Sequence, residues 1–134
     1  MVSVPEYKFL DLNQLRFHYV DWGGDGQPLI LLHGLASNAR FWDLVAPHLS
    51  SYRVLAIDQR GHGSTSKPSE GYDFRTVSGD ITGLIKGLDI SRPVVVGHSW
   101  GGNVAMQVAH DNPGFLAGIV CIDGGLIEPS SVDG

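Results

Sequence analysis

The apolar residues of this chain follow two patterns, which predict strands and helices in alternation. Four continuous apolar runs have the length of strands covered on both faces, and these are Pro28–Leu32, Arg53–Ile57, 93–96 and Gly118–Ile122. Residues 76–88 instead repeat apolar side chains every three or four positions, which places them on one face of a helix. We therefore expect an α/β fold with a mostly parallel sheet and helices on both faces.

Further segments add a hairpin and two helices to this prediction. Residues 9–12 and 15–20 are short extended segments, which predict an antiparallel hairpin at an edge of the sheet. Residues 39–49 and 103–110 have helical patterns, although Pro47 must kink or restart the first helix. The second helix begins directly after a turn rich in glycine.

Length and composition narrow the class of protein. A chain of 134 residues forms one domain at most, and its net charge of −5, without any basic run, argues against a nucleic acid partner. Cys121 is the single cysteine and lies in an apolar run, where we expect a small buried thiol. No apolar stretch is long enough to cross a bilayer, so we predict a cytoplasmic protein without a membrane partner.

The stretch PVVVGHSWGGN, residues 93–103, carries the clearest chemical signal. Gly97, Ser99 and Gly101 lie between a predicted strand and a predicted helix, which is typical of a nucleophile elbow. The two glycines let strand and helix approach closely, while the serine takes a strained conformation that exposes its hydroxyl. The alternative is an ordinary capping serine in a strand-to-helix turn.

Attack by this serine on a carbonyl carbon would produce an oxyanion, which needs two preorganised hydrogen-bond donors. The backbone N–H of Trp100 is one candidate because the elbow itself positions it. The backbone N–H of Leu35 is the other, because Gly34 lets the loop after the first central strand turn toward the same point.

Three motifs carry a resemblance to a known family. The stretches LLHGLASNARFW, AIDQRGHGSTSKP and VVVGHSWGG, in this order and spacing, resemble the amino-terminal half of an α/β-hydrolase. The resemblance covers nearly the whole chain, so residues 1–134 are expected to form that half without the carboxyl-terminal strands. Within the family the chain is similar to esterases, perhydrolase-like enzymes and carbon–carbon bond hydrolases. The resemblance implies a serine hydrolase that forms an acyl-enzyme at Ser99 with an ester or related acyl substrate.

The resemblance also extends to enzymes with a different nucleophile. The tryptophan that follows the nucleophile, Trp100, makes this stretch similar to that of epoxide hydrolases and haloalkane dehalogenases. Their nucleophile is an aspartate, whereas this chain has Ser99 at that position.

Several neighbouring residues have candidate roles. His33, Gly34, Phe41 and Trp42, with the side chain of Trp100, are candidates for substrate binding, although His33 can instead orient its own loop. No cluster of histidine, cysteine and acidic residues has ligand spacing, so no metal or organic cofactor is expected.

Of the other polar residues near the strand ends, most are expected to have structural roles, and the role of one remains open. We expect Asp58 and Arg60 to pair and brace the loop after the second parallel strand. His98 is expected to pack beside the nucleophile with its ring hydrogen-bonded locally. Asp123, at the end of the last apolar run, is either a candidate catalytic acid or a turn residue.

The catalytic histidine that the family order implies is not found after the last strand. The chain has six histidines, and His110 is too far along its helix to reach Ser99. Three explanations remain open: a piece of a longer enzyme, a half completed by another chain or a second copy, or a non-catalytic ligand-binding module. The run Gly118–Ile122 is expected to form an unpaired apolar edge, which predicts self-association or a complementing chain there.

Overall fold

The computed structural model describes residues 4–123, which form one six-stranded mixed sheet with helices packed against it. The elements in chain order are β1 (Glu6–Leu12), β2 (Leu15–Gly23), β3 (Pro28–Leu32), two 3-10 turns (Ala39–Trp42 and Ala46–Leu49), β4 (Arg53–Ile57), α1 (Phe74–Gly87), β5 (Val94–His98), α2 (Trp100–Asp111) and β6 (Gly118–Ile122). The strand order across the sheet is β1-β2-β4-β3-β5-β6.

The sheet is parallel at its centre and antiparallel at one side. Strands β4, β3, β5 and β6 run parallel, whereas β1 pairs antiparallel with β2 and β2 antiparallel with β4. The hairpin between β1 and β2 turns at Asn13 and Gln14, whose φ angles of 54° and 65° suit a tight two-residue turn. The predicted parallel centre and edge hairpin are both confirmed.

Alternate side chains of the central strands enter two separate cores. Ile30, Leu32 and Leu55 lie on the face covered by α1 and α2, where Ile81 and other apolar residues of α1 are fully buried. The opposite face packs against the 3-10 turns through a smaller set of side chains: Val20, Leu29, Leu31, Ala39, Trp42, Ala46, Val54 and Ala56. Coverage of both faces explains why these strands are continuously apolar.

The helix predicted over residues 39–49 is wrong, because this segment forms two short 3-10 turns. Asn38 caps the first turn by accepting a hydrogen bond from the backbone N–H of Arg40. Pro47 lies at the start of the second turn, where its missing N–H does no harm, but it cannot continue a helix from the first. In the described part of the chain, α-helices thus cover one face of the sheet and 3-10 turns cover the other.

Strand β6 lies at the side of the sheet opposite the hairpin. Within residues 4–123 it pairs only with β5, and Ile119, Val120 and Ile122 are 36% to 46% exposed. Cys121 is half-buried rather than buried as predicted, because no further layer of the described residues covers this edge. None of the helices in this part of the chain has the length and hydropathy that a membrane span requires.

Candidate active site

Three loops meet at the carboxyl end of the parallel strands. Leu32 at the end of β3 pairs with Ile57 of β4 on one side and with Gly97 of β5 on the other. The loops that follow these strands therefore begin side by side. This is the edge at which parallel α/β sheets bind their ligands.

The turn between β5 and α2 has the geometry that its sequence predicts. Ser99 has φ 53° and ψ −119°, a sparsely populated conformation for a residue with a side chain. A Cβ atom at Gly97 would lie 2.2 Å from the Gly101 carbonyl oxygen, and one at Gly101 would lie 2.6 Å from the His33 carbonyl oxygen. Both positions therefore require glycine, because backbone from β3, β5 and α2 converges there.

The Ser99 side chain does not cap α2, although Ser99 lies at the position where side chains usually cap a helix. Ser99 is the N-cap residue of α2, yet its side chain makes no capping hydrogen bond and the residue is exposed. Asn38 and Asp73, at the corresponding positions of the first 3-10 turn and α1, both cap their helices with side-chain oxygens. The interpretation of Ser99 as an ordinary capping serine is wrong.

The loop after β3 packs directly on this corner. A Cβ atom at Gly34 would lie 3.3 Å from the Ser99 Cβ, so the loop backbone contacts the serine. The Ser37 N–H donates to the Gly34 carbonyl at 3.3 Å, and Ala36 takes a positive φ of 60°. The loop is thus a tight turn whose backbone, rather than its side chains, faces Ser99.

The two predicted oxyanion donors lie on either side of the Ser99 corner. Leu35 follows Gly34 in the turn, and Trp100 follows Ser99 at the start of α2. Within residues 4–123 neither backbone N–H has a hydrogen-bond acceptor. Two free N–H groups beside a strained serine are suited to binding a negatively charged oxygen.

His33 orients its own loop. Its ring is fully buried, with Nδ1 donating to the Gly34 carbonyl at 2.7 Å and Nε2 accepting from the Gln59 N–H at 3.1 Å. Burial lowers the pKa of His33 from 6.5 to about 4, so the ring is neutral at neutral pH. Both nitrogens are used, which leaves neither for the substrate contact that was its other candidate role.

The predicted pair between Asp58 and Arg60 is wrong. The buried Asp58 carboxylate instead accepts hydrogen bonds from the backbone N–H groups of Ala39, at 2.7 Å, and Ser64, at 2.9 Å. Its Oδ2 also lies 2.7 Å from Nδ1 of His18 on β2. Asp58 therefore joins three separate segments of the chain.

Arg60 binds a different acid on the helical side of the sheet. Its guanidinium donates to both carboxylate oxygens of Asp80 on α1, at 2.8 and 3.0 Å. Asp58 and Arg60 therefore bind partners in different segments of the chain. Both act as braces, but with separate partners.

The two aromatic candidates for the pocket occupy different environments. Phe41 is 45% exposed and stacks on His98 with ring centroids 4.5 Å apart, so it lies at the surface beside the elbow. Trp42 is only 3% exposed and fills the core under the 3-10 turns instead of the surface. The local hydrogen bond predicted for His98 is not formed by Nδ1, which is buried without a partner.

His62 contributes to the site although its sequence position did not single it out. Its Nδ1 donates to the Arg60 carbonyl at 2.9 Å, and its Nε2 accepts from the Ala36 N–H at 3.2 Å. The ring lies between those of His33 and Trp100, at centroid distances of 4.8 and 5.7 Å. The available signal was its place in the loop after β4, because β4 neighbours β3 in the sheet.

Asp123 directly follows the strand that borders the elbow. The Ser99 N–H donates to the Ile122 carbonyl at 2.9 Å, and Asp123 is the exposed next residue, with φ 53°. Its role as a catalytic acid stays a prediction. All six histidines lie within residues 4–123, and none of them is hydrogen-bonded to the Ser99 side chain.

Comparison with known proteins places this geometry in a family. Residues 27–132 match the family described as alpha/beta hydrolase fold. The chain belongs to the alpha/beta hydrolase fold family. The resemblance in the three sequence motifs and the predicted fold class are thereby confirmed.

Similar proteins extend this assignment to named members of the alpha/beta hydrolase fold. A soluble epoxide hydrolase of Corynebacterium sp. (strain C12) is 39% identical over 84% of this chain and 39% of its own length. A non-heme chloroperoxidase of Streptomyces lividans is 42% identical over 78% of this chain and 39% of its own. The solved epoxide hydrolase CorEH superposes with a TM-score of 0.88 and 36% identity, over 94% of this chain and 45% of that one. The chain thus spans less than half the length of these alpha/beta hydrolases.

Proposed function

We propose that this chain carries the nucleophile of a serine hydrolase that acts on an ester or a related acyl substrate. The observation that carries the proposal is the conformation of Ser99, an exposed N-cap residue held at φ 53° whose side chain caps nothing. A strained residue of this kind persists only where the surrounding structure enforces it. Gly97 and Gly101, whose Cβ positions are occupied by backbone, are the means of enforcement.

The proposed reaction proceeds through a covalent acyl-enzyme. Ser99 Oγ attacks the carbonyl carbon, and the N–H groups of Leu35 and Trp100 hold the resulting oxyanion. The N-terminal dipole of α2 favours the same negative charge. The tetrahedral intermediate expels the leaving group after it receives a proton, and water then releases the acyl group from Ser99.

The serine distinguishes the proposed chemistry from that of the relatives named epoxide hydrolases. A carboxylate that opens an epoxide forms an ester, whose carbonyl carbon water can attack. A serine oxygen that opens an epoxide forms an ether, which has no carbonyl, so the enzyme would stop after one turnover. A serine nucleophile therefore supports an acyl substrate.

The base that activates Ser99 is proposed to come from beyond this chain. A serine hydroxyl is a weak nucleophile until a base takes its proton, and no histidine within residues 4–123 bonds Ser99. A carboxyl-terminal half or another chain would supply the base, and the exposed edge of β6 offers a place for its attachment.

Cys121, as the single cysteine, allows no intrachain disulfide, which supports a cytoplasmic location.

The test is covalent labelling by a serine-directed phosphonate ester, followed by the intact mass. With the carboxyl-terminal half or other chain that supplies the base present, we expect one adduct on the wild-type protein, none on Ser99→Ala, and full labelling of Ser91→Ala, a control at an exposed serine before β5. An adduct that persists in Ser99→Ala would overturn the assignment of the nucleophile. A folded protein that stays unlabelled with the base-supplying part present would contradict the proposal and support the alternative, a non-catalytic ligand-binding or self-assembling half-domain.

A further inference from the structure

We propose that His62 is a positioning residue for the oxyanion hole, which it serves by holding the turn that carries the Leu35 N–H. This inference rests on the proposed function, because an oxyanion hole matters only if Ser99 attacks a carbonyl. Its structural part, a side-chain clamp on the turn, can be tested without any activity.

The turn has two successive peptide groups, and each is held by a different histidine. The peptide between Gly34 and Leu35 is held through its oxygen, which accepts from Nδ1 of His33 at 2.7 Å. The next peptide, between Leu35 and Ala36, is held through its N–H, which donates to Nε2 of His62 at 3.2 Å. Leu35 therefore lies between two clamps, which define the direction of its own N–H.

The conformation of Ala36 shows why the second clamp is needed. Alanine at φ 60° is in the left-handed region, where its Cβ crowds the following carbonyl oxygen. Without an opposing contact the turn would relax toward negative φ and rotate the adjoining peptide. The bond to His62 opposes this rotation, and the Ser37 N–H, bonded to the Gly34 carbonyl, closes the other side of the turn.

The His62 ring also lies beside the side chain of Trp100. Its ring lies 5.7 Å from that of Trp100, whose N–H is the other proposed donor. Its Nδ1 is fixed by the Arg60 carbonyl at 2.9 Å, which requires the proton on Nδ1 and leaves Nε2 as an acceptor. One histidine side chain thus lies beside both segments that form the proposed hole.

Two substitutions separate the hydrogen bond from the packing of the ring. His62→Phe keeps a ring between His33 and Trp100 but removes the acceptor for the Ala36 N–H. His62→Gln keeps a side-chain oxygen that can accept this bond. His110→Phe, at the exposed end of α2, is the matched control for the exchange of histidine for phenylalanine.

The first readout is the rate of phosphonate labelling at Ser99, measured with the base-supplying part present. We expect His62→Phe to lower the limiting rate at saturating phosphonate by about 10- to 100-fold. This rate loss should not exceed the one that follows removal of an oxyanion donor. The concentration that gives the half-maximal rate should change little, because the clamp acts on the transition state. His62→Gln should recover most of the rate, and His110→Phe should match wild type.

A further substitution tests the mechanism of the clamp. Glycine takes positive φ without strain, so Ala36→Gly should remove the tendency of the turn to relax. We expect Ala36→Gly to recover part of the labelling rate in the His62→Phe background and to change it little in wild type. Lack of recovery in the double variant would contradict the role assigned to Ala36.

The second readout is amide hydrogen exchange at Ala36, which does not depend on catalysis. Exchange should be slow in wild type and in His110→Phe, and faster in His62→Phe. If wild type is not labelled even with the base-supplying part present, the proposed function fails, while this exchange still decides whether the clamp exists. Equal labelling rates for wild type and His62→Phe would overturn the inference even if Ser99 is the nucleophile. If His62→Phe does not fold, unprotected exchange of Ala36 in wild type would overturn it instead.

Discussion

The loop after β4 and the corner after β5 lie at the same edge of the sheet, yet the Asp58 carboxylate in the loop is hydrogen-bonded, whereas the Ser99 side chain at the corner caps nothing. In the first, the Asp58 carboxylate binds two backbone N–H groups and the ring of His18. In the second, the Ser99 side chain caps nothing, and the Trp100 N–H has no acceptor within residues 4–123. The difference teaches that the satisfied Asp58 carboxylate braces this edge, whereas the free groups of Ser99 and Trp100 are where we propose that a reacting molecule binds.

The energetic consequences of the two regions are also opposite. Asp58 is 3% exposed, so its carboxylate is stable in the interior only because its partners replace water. Ser99 holds a backbone strain of about 1–3 kcal/mol that the fold must offset. One region thus contributes stability and the other consumes it.

Among substitutions in these two regions, we expect the largest effect from Ser99→Ala, which should abolish reactivity with the phosphonate. Labelling should fall by at least about 10⁴-fold, because no other group can take the place of the nucleophile. The free energy of unfolding, measured with urea, should change by less than about 1 kcal/mol because the hydroxyl has no structural partner. A much larger loss of stability would mean that Ser99 is a brace like Asp58.

The next effect is the destabilisation caused by Gly97→Ala. The added Cβ would lie 2.2 Å from the Gly101 carbonyl oxygen, so β5 and α2 would have to separate. We expect a loss of about 3 kcal/mol or more in the free energy of unfolding, measured with urea. A stability close to that of wild type would show that the corner is not as tightly packed as its geometry requires.

Asp58→Ala should destabilise the protein, although Asp58 has no proposed role in the reaction. The substitution leaves the buried N–H of Ala39 and the part-buried N–H of Ser64 without an acceptor, and we expect a loss of about 3 kcal/mol. Asp11→Ala, at an exposed position of β1, is the control and should stay within about 0.5 kcal/mol of wild type. Equal effects of the two substitutions in urea denaturation would contradict the bracing role of Asp58.

Acid should weaken the connection between the loops after β3 and β4. The pKa of His33 is lowered by burial to about 4, whereas in the unfolded chain it is 6.5, so between these values the unfolded chain binds more protons. Stability is therefore complete above pH 6.5 and is lost as the pH falls to about 4, by at most about 3 kcal/mol. Urea denaturation between pH 7 and pH 4 measures this loss. His33→Gln should show a shallower pH dependence, and an identical slope in both proteins would rule out His33 as its source.

The smallest effect is expected from Gly79→Ala on α1, which is the counterpart of Gly97→Ala. A Cβ atom at Gly79 would meet nothing within 4 Å, and the residue lies inside a helix at an exposed position. We expect a gain of about 0.5–1 kcal/mol from the better helix propensity of alanine. A rise in the urea midpoint would confirm this, and a fall would show that the helix needs the glycine for another reason.

Much of the fold and of the site could be predicted from the sequence because the signals are local. Apolar runs identified the parallel strands, and Gly97, Ser99 and Gly101 identified the corner. These patterns depend on residues only a few positions apart. The helix predicted over residues 39–49 failed because Pro47 divides the segment into two short turns, each too short for an α-helix.

Pairings between distant segments could not be predicted in this way. Asp58 was expected to bind Arg60, two residues away, but binds His18, which is 40 residues away in sequence. The contact exists because β2 pairs with β4, an arrangement that a local pattern does not encode. His62 was missed for the same reason, since it reaches Ala36 across 26 positions.

By itself, the sequence determined which segments form strands, where the chain must turn sharply, and which residue at the turn carries a hydroxyl group. Those properties follow from side-chain volume, periodicity and the conformational freedom of glycine, which act over a few residues. The tertiary structure alone decided which polar groups are satisfied and which remain free around Ser99. Hydrogen bonding at this edge depends on the order of the strands, because neighbours in the sheet are distant in the chain.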